Sequence, residues 1–158
     1  MNIYEFFIDK KEALRRVLKQ QKNLMMDYVF YPNSVAVIGA SSDAEKERNW
    51  GWVGRLLQFG YKGKIYPLNP KVKEILGLKT YPSIREVPDS VDYAIMVIPR
   101  HLVPRSLEEC VAKGVKVVHI YAAGFSEMGT EAGIKLQKEL ENIIKTGDTR
   151  VIGPNCMG

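Results

Sequence analysis

The residues best suited to chemistry lie in short turns that follow apolar, β-branched runs. Gly39-Ala40-Ser41-Ser42 succeeds Ser34-Val35-Ala36-Val37-Ile38. A glycine followed by small hydroxyl residues leaves room at a strand end, and its amides and hydroxyls can donate to a phosphate. The same residues also serve simple turn geometry, and no second glycine follows closely enough to make G-x-G-x-x-G. Asn69-Pro70-Lys71, with Lys73 nearby, closes the next run. A nicotinamide-dinucleotide site places an acid there for the ribose hydroxyls, whereas a cation suits a phosphate or is simply solvated. Ile98-Pro99-Arg100 ends a third run, with a proline-fixed turn and a guanidinium that would meet a phosphate or water. His101 has the chemistry of an acid or base but no evident partner. His119 lies within an apolar run and reads as a packed core residue. Cys156, after Pro154-Asn155 and without a His-Asp set, reads as a loop residue rather than a nucleophile. Paired carboxylates, metal-ligand spacing, G-x-S-x-G and P-loop patterns are missing from the sequence. The residues describe a binding domain for a phosphate-bearing ligand, with no catalytic residue and no metal ligand assigned.

Alternating strands and helices must position these turns. The first strand, from Ser34, is buried on both faces. A charged loop is expected over 43–48, then a helix over 49–59, N-capped by Asn49, facing the sheet with Val53, Leu56 and Leu57 and stopped by Gly60. Gly51 and Gly54 would let that helix lie close to the strands. A second strand spans 64–68, a short helix 74–78, a turn 80–83 and a third strand 93–98. A helix over 103–113, closed by Gly114, precedes a fourth strand over 115–120 and Ala122-Ala123-Gly124. A helix over 130–145, with Ile134, Leu136, Leu140, Ile143 and Ile144 as its apolar residues, leads to a fifth strand over 150–152. Strand, turn, helix and strand in about thirty residues is a βαβ unit, and its repetition predicts an α/β fold: an open, mainly parallel five-stranded sheet. Ligands of such sheets sit at the carboxyl ends of the strands.

Before the sheet, residues 9–26 read as an amphipathic helix, with Leu14, Val17, Leu18 and Met25 on one stripe and Lys10, Lys11, Arg15, Arg16 and Lys19 elsewhere. It is expected to pack on the domain or a neighbouring subunit rather than a membrane. The chain of 158 residues is thus divided into a helical extension, 1–29, and one sheet domain, 30–158. Its net charge of +5 is modest and the basic residues form no long block, so nucleic acid is not an expected partner. No apolar run approaches a membrane span, and the N-terminus does not read as a signal peptide. Cys110 and Cys156 are far apart, which fits a reduced, cytoplasmic setting.

Several stretches together, in order, resemble a known family: Ser34 to Ser42, Gly60 to Lys71, Val91 to Ile95, Gly114-Val115-Lys116, Ala123 to Glu127 and Gly153-Pro154-Asn155-Cys156-Met157-Gly158. They resemble the N-terminal CoA-binding domain of the nucleoside-diphosphate-forming acyl-CoA synthetases, relatives of the succinyl-CoA synthetase α subunit. The resemblance implies a Rossmann-like domain, with helices on both faces of its sheet, that holds coenzyme A along the carboxyl edge. By position, Gly39, Ala40, Ser41 and Ser42 would lie against the CoA phosphates, and Lys71, following Asn69 and Pro70, would neutralise one. Ile98, Pro99 and Arg100 would flank the ligand, Ala122, Ala123 and Gly124 would line the route of the pantetheine arm, and Asn155 would approach its reactive end. Lys46 is a further cation for the phosphates, although the segment 43–48 is more charged than the family's small, glycine-bearing version.

The family's phosphorylated histidine and its nucleotide-grasp domain lie in other domains, and neither His101 nor His119 matches the phosphohistidine position. The chain is therefore expected to be a fragment of a larger synthetase or a free-standing CoA-binding protein, and not to catalyse the ligase reaction alone. Its expected partners are CoA or acyl-CoA and the remaining domains or subunits of a synthetase; homo-oligomerisation is left open. The rival readings are a CoA- or nucleotide-sensing regulatory module and an NAD(P)-binding oxidoreductase domain.

Overall fold

The structure, a computed structural model, describes residues 26–156. The amphipathic helix expected over 9–26 lies outside the described residues except for Met26, which is helical together with 27–30. In chain order the elements are β1 (Ser34–Ile38), α1 (Ala44–Trp50), α2 (Trp52–Gln58), β2 (Lys64–Leu68), β3 (Glu74–Ile75), β4 (Leu78–Lys79), β5 (Tyr93–Met96), α3 (Val103–Lys113), β6 (Val117–Ile120), α4 (Glu131–Ile144) and β7 (Arg150–Ile152). β3 and β4 form a small antiparallel hairpin beside a five-stranded sheet of order β2-β1-β5-β6-β7, parallel throughout.

The order places β1 centrally, between β2 and β5, with Ala36 opposite both Tyr66 and Ala94. All five residues of β1 are buried, as expected of a strand covered on both faces. On one face Ala36, Ile38, Met96, Val118 and Ile120 pack against Leu107 and Cys110 of α3 and Leu140 and Ile143 of α4. On the other, Val35, Val37 and Ile95 pack against Val53 of α2 and Ile75 of β3. Each fully buried Leu or Ile contributes about 1.5–3 kcal/mol through removal of apolar surface from water. Because every strand of this sheet runs the same way, the residues following β1, β2, β5, β6 and β7 gather at one edge.

The local differences from the sequence reading have identifiable causes. The charged segment 43–48 is mostly helical, not a loop: Asp43 caps α1 by accepting from the Glu45 and Lys46 amides, and Glu45 and Glu47 sit in the positive first turn. The helix expected over 49–59 is split at Gly51. Gly54 serves the contact between these two helices rather than the approach to the strands, since a Cβ there would collide with the Glu47 carbonyl and come within 2.6 Å of the Arg48 carbonyl oxygen. The short helix expected over 74–78 is the β3–β4 hairpin, turned by Leu76 at φ 50° and Gly77 at φ 81°. Ile134, one of the apolar residues of the last helix, is 40% exposed. β2, α3 and β7 have the bounds that their apolar patterns indicate.

Candidate functional site

A cleft of about 610 Å³ opens at the carboxyl edge, between the ends of β1, β2 and β5 and the start of α1 and α2. The βαβ topology creates it: the chain leaves β1 upward into α1, and β5 returns on the other side of β1. Gly39, Ala40, Ser41, Ser42, Lys46, Asn69, Pro70, Lys71, Ile98 and Pro99 all line it. Gly39 adopts φ 95°, and its α-carbon lies so close to the end of β5 that a Cβ would approach the Val97 carbonyl oxygen to 2.6 Å. A side chain would therefore drive β1 and β5 apart where the cleft begins.

Asn69 ties two strand ends together. Its Nδ2 donates to the Ala40 carbonyl at 2.8 Å, while its Oδ1 accepts from the Lys71 amide at 2.8 Å. One side chain thus fixes the height of the first turn and the start of the Pro70-Lys71 turn. The Lys71 side chain is exposed, as are those of Ser42 and Lys46. Exposed cations and hydroxyls around an apolar floor of Val37, Val97 and Ile98 suit an amphipathic, anionic ligand.

The remaining candidates stand beside this cleft rather than in its lining. Arg100 turns toward the β6 loop and donates to the Gly124 carbonyl at 3.0 Å. Glu127 braces the same loop by accepting from the Gly124 and Phe125 amides at 2.6 and 3.0 Å. Those hydrogen bonds, the Gly124 one foremost, and the nearby Arg100 charge hold its carboxyl below the usual range. The Asn155 amide donates to the Ala122 carbonyl at 3.1 Å, which joins the loop after β7 to the loop after β6. Ala122, Ala123, Gly124 and Asn155 form a second set of turns along the edge, connected to the first through Pro99-Arg100.

Sequence reasoning missed Glu47, Trp50 and Trp52, which also line the cleft. Glu47 is 2% exposed. Its carboxylate accepts from the Ser41 amide at 2.6 Å and the Val53 amide at 2.8 Å, so it spans the first turn and the start of α2. The signal was obscured by a run of exposed charges. The spacing of Glu47, Gly51 and Gly54 was the available clue, because a Cβ at Gly51 would overlap the Glu47 carboxylate.

The other reactive residue types have structural settings. Cys110 is buried, and burial pushes its thiol up to about 12; Cys156 is exposed. His119, read as a core residue, is half-buried: its Nδ1 is 2.7 Å from the Tyr93 hydroxyl and its ring stacks on Tyr121 with centroids 4.3 Å apart. Burial lowers its pKa, and its Nε2 has no hydrogen-bond partner among the described residues. His101 is exposed. Among the described residues no group of three or more His, Cys, Asp or Glu could hold a metal ion, and no helix is long and apolar enough to cross a membrane.

The parallel sheet and its cation-fringed carboxyl edge place the chain among Rossmann-like α/β binding domains. Residues 33–158 match the CoA binding domain family, and the chain belongs to that family. Among curated relatives, it is 46% identical over 135 residues to the alpha subunit of ADP-forming acetate–CoA ligase II of Pyrococcus furiosus, covering 85% of this chain and 29% of that one. It is 45% identical over 133 residues to the ADP-forming acetate–CoA ligase of Methanocaldococcus jannaschii, covering 84% of this chain and 18% of the relative. Among solved structures, the dinucleotide-forming acetyl-coenzyme A synthetase 1 of Ca. Korarchaeum cryptofilum, in complex with phosphate and ADP, superposes with a TM-score of 0.72 at 37% identity, over 82% of this chain and 27% of that one. The chain therefore spans less than a third of the length of these relatives.

Proposed function

We propose that this chain binds coenzyme A or an acyl-CoA across the carboxyl edge of the sheet, as the CoA-binding part of a nucleoside-diphosphate-forming acyl-CoA synthetase or a stand-alone relative of it. In this reading CoA is a substrate delivered to the ligase reaction, and the remaining domains or subunits supply the nucleotide and acyl-transfer chemistry. The phosphates lie over the turn formed by Gly39, Ala40, Ser41 and Ser42, with Lys46 and Lys71 balancing their charge. Asn69 and Pro70 set Lys71. Ile98, Pro99 and Arg100 flank the ligand, and Ala122, Ala123, Gly124 and Asn155 guide the pantetheine arm toward its thiol end. The supporting observation is the single cleft that joins the Gly39–Ser42 turn to Lys71 across the ends of adjacent parallel strands.

A nicotinamide dinucleotide suits the same edge less well, because Lys71 stands where a ribose-binding acid is needed. Thermal unfolding of the full chain with CoA, ATP, NAD and NADP tests the choice. A ligand present at about 100 times its dissociation constant stabilises the folded state by about 2.7 kcal/mol, which for a domain of this size raises the midpoint by about 5–10 °C. The expected result is a rise with CoA that the other three do not match. A larger rise with NADP would replace this reading with a dehydrogenase domain.

A further inference from the structure

Glu47 stands out among the residues lining the cleft. A carboxylate in a site for a polyanion is costly in Coulomb energy, and this one is 2% exposed. None of the ion pairs among the described residues includes it. Its compensation comes from two backbone donors, the Ser41 and Val53 amides at 2.6 and 2.8 Å. The side chain has been given room: Gly51 leaves the volume that the carboxylate fills. A backbone amide has one proton, and Ser41 has committed its proton to Glu47. The Ser41 hydroxyl oxygen in turn accepts from the Asp43 amide at 3.2 Å. The Ser41 amide of the first turn is therefore engaged by the protein itself, while Ser42, Lys46 and Lys71 remain exposed at its rim.

We propose that Glu47 is a resident anion of the first turn: it holds the donor position that a ligand phosphate takes in a bare strand–turn–helix cradle, and so selects ligands whose phosphates seat outward, against Ser42, Lys46 and Lys71. The inference rests on the CoA reading of the cleft and adds a specificity determinant to it. A dinucleotide whose pyrophosphate must press against the Ser41 amide meets a carboxylate there. A ligand that runs along the rim from Lys71 to the β6 loop does not.

The test is an amide ¹H–¹⁵N spectrum of the full chain titrated with CoA and, separately, with inorganic pyrophosphate. With CoA, the amide resonances of Ser42, Lys46 and Lys71 are expected to move while those of Ser41 and Val53 stay in place, because their acceptor is unchanged. Movement of Ser41 and Val53 together with the rim would show the donor being handed to the ligand and would overturn this inference while leaving the CoA reading intact. CoA that moves none of these resonances overturns the CoA reading, and this inference with it. Glu47→Gln, a neutral side chain of the same shape, supplies the second arm: in the folded variant pyrophosphate affinity is expected to rise about tenfold as the repulsion is removed. An unchanged or lower affinity contradicts the proposal. Should the variant not fold, the wild-type spectrum decides alone.

Discussion

Replacing Gly39 with alanine tests whether the end of β1 is shaped by close backbone approach. The residue has φ 95°, where an L side chain is strained, at a cost of about 1–2 kcal/mol. In addition, a Cβ would come within 2.6 Å of both the Val97 carbonyl oxygen and the Ile98 Cγ2. Ile98 can rotate, but Val97 cannot retreat without disturbing the β1–β5 ladder, because its amide donates to the Ile38 carbonyl at 2.9 Å. Overpacking of this kind costs about 1–3 kcal/mol, for a sum of about 2–5 kcal/mol. Gly60→Ala is the internal control: φ is 73° and nothing lies within 4 Å of the added Cβ, so only the backbone strain remains. With a domain of this size losing about 2–4 °C per kcal/mol, Gly39→Ala is expected to lower Tm by roughly 4–20 °C and Gly60→Ala by roughly 2–8 °C. Scanning calorimetry of the two variants in parallel measures the difference. A Gly39→Ala variant no less stable than Gly60→Ala would refute the argument from close approach.

Three further expectations follow from other parts of the molecule. Lys71→Glu is expected to weaken CoA binding by roughly tenfold or more at low salt, with a smaller loss in high salt because the exposed contact is screened; equal affinities in a folded variant would remove Lys71 from the site. A thiol reagent at neutral pH should modify Cys156 alone in the native chain and both cysteines after denaturation, since Cys110 is buried with its thiol pushed up to about 12; modification of both in the native state would contradict the packing of α3. His119 has its pKa lowered by burial from an ordinary 6.5, so the unfolded chain binds its proton more readily. The stability it contributes is present above that ordinary value and is lost as pH falls through it. Urea midpoints at pH 7.5 and 5.5 should therefore diverge more for the wild type than for His119→Gln, and an equal pH dependence would sink the assignment.

The sheet was readable because its central strand is covered on both faces: apolar runs bounded by Gly60, Pro99 and Gly114 leave few alternatives, and helices between β1 and β2, β5 and β6, and β6 and β7 favour a parallel order. The segment 43–48 was misread because exposed charges resemble a loop, although Asp43 followed by Glu45 is a helix-start signal that outweighs Asn49. The hairpin at Leu76-Gly77 gave little warning, since leucine is a poor advertisement for a turn with positive φ. In the cleft, residues immediately following strands could be anticipated from topology alone. Glu47 could not, because its burial depends on the break at Gly51 that folds α2 back over it. Arg100 shows a related limit: its place after β5 was legible, but its turn toward the Gly124 carbonyl depends on the β6 loop.

The central claim is that this cleft receives coenzyme A and holds it through its phosphates. Calorimetric titration of the full chain with CoA and with dephospho-CoA, under identical salt, tests it most directly. Saturable one-to-one binding of CoA, weakened when the 3′-phosphate is missing and weakened further in Lys71→Glu, is the predicted result. A folded chain that yields no binding heat with either ligand across a range of temperatures would contradict the account.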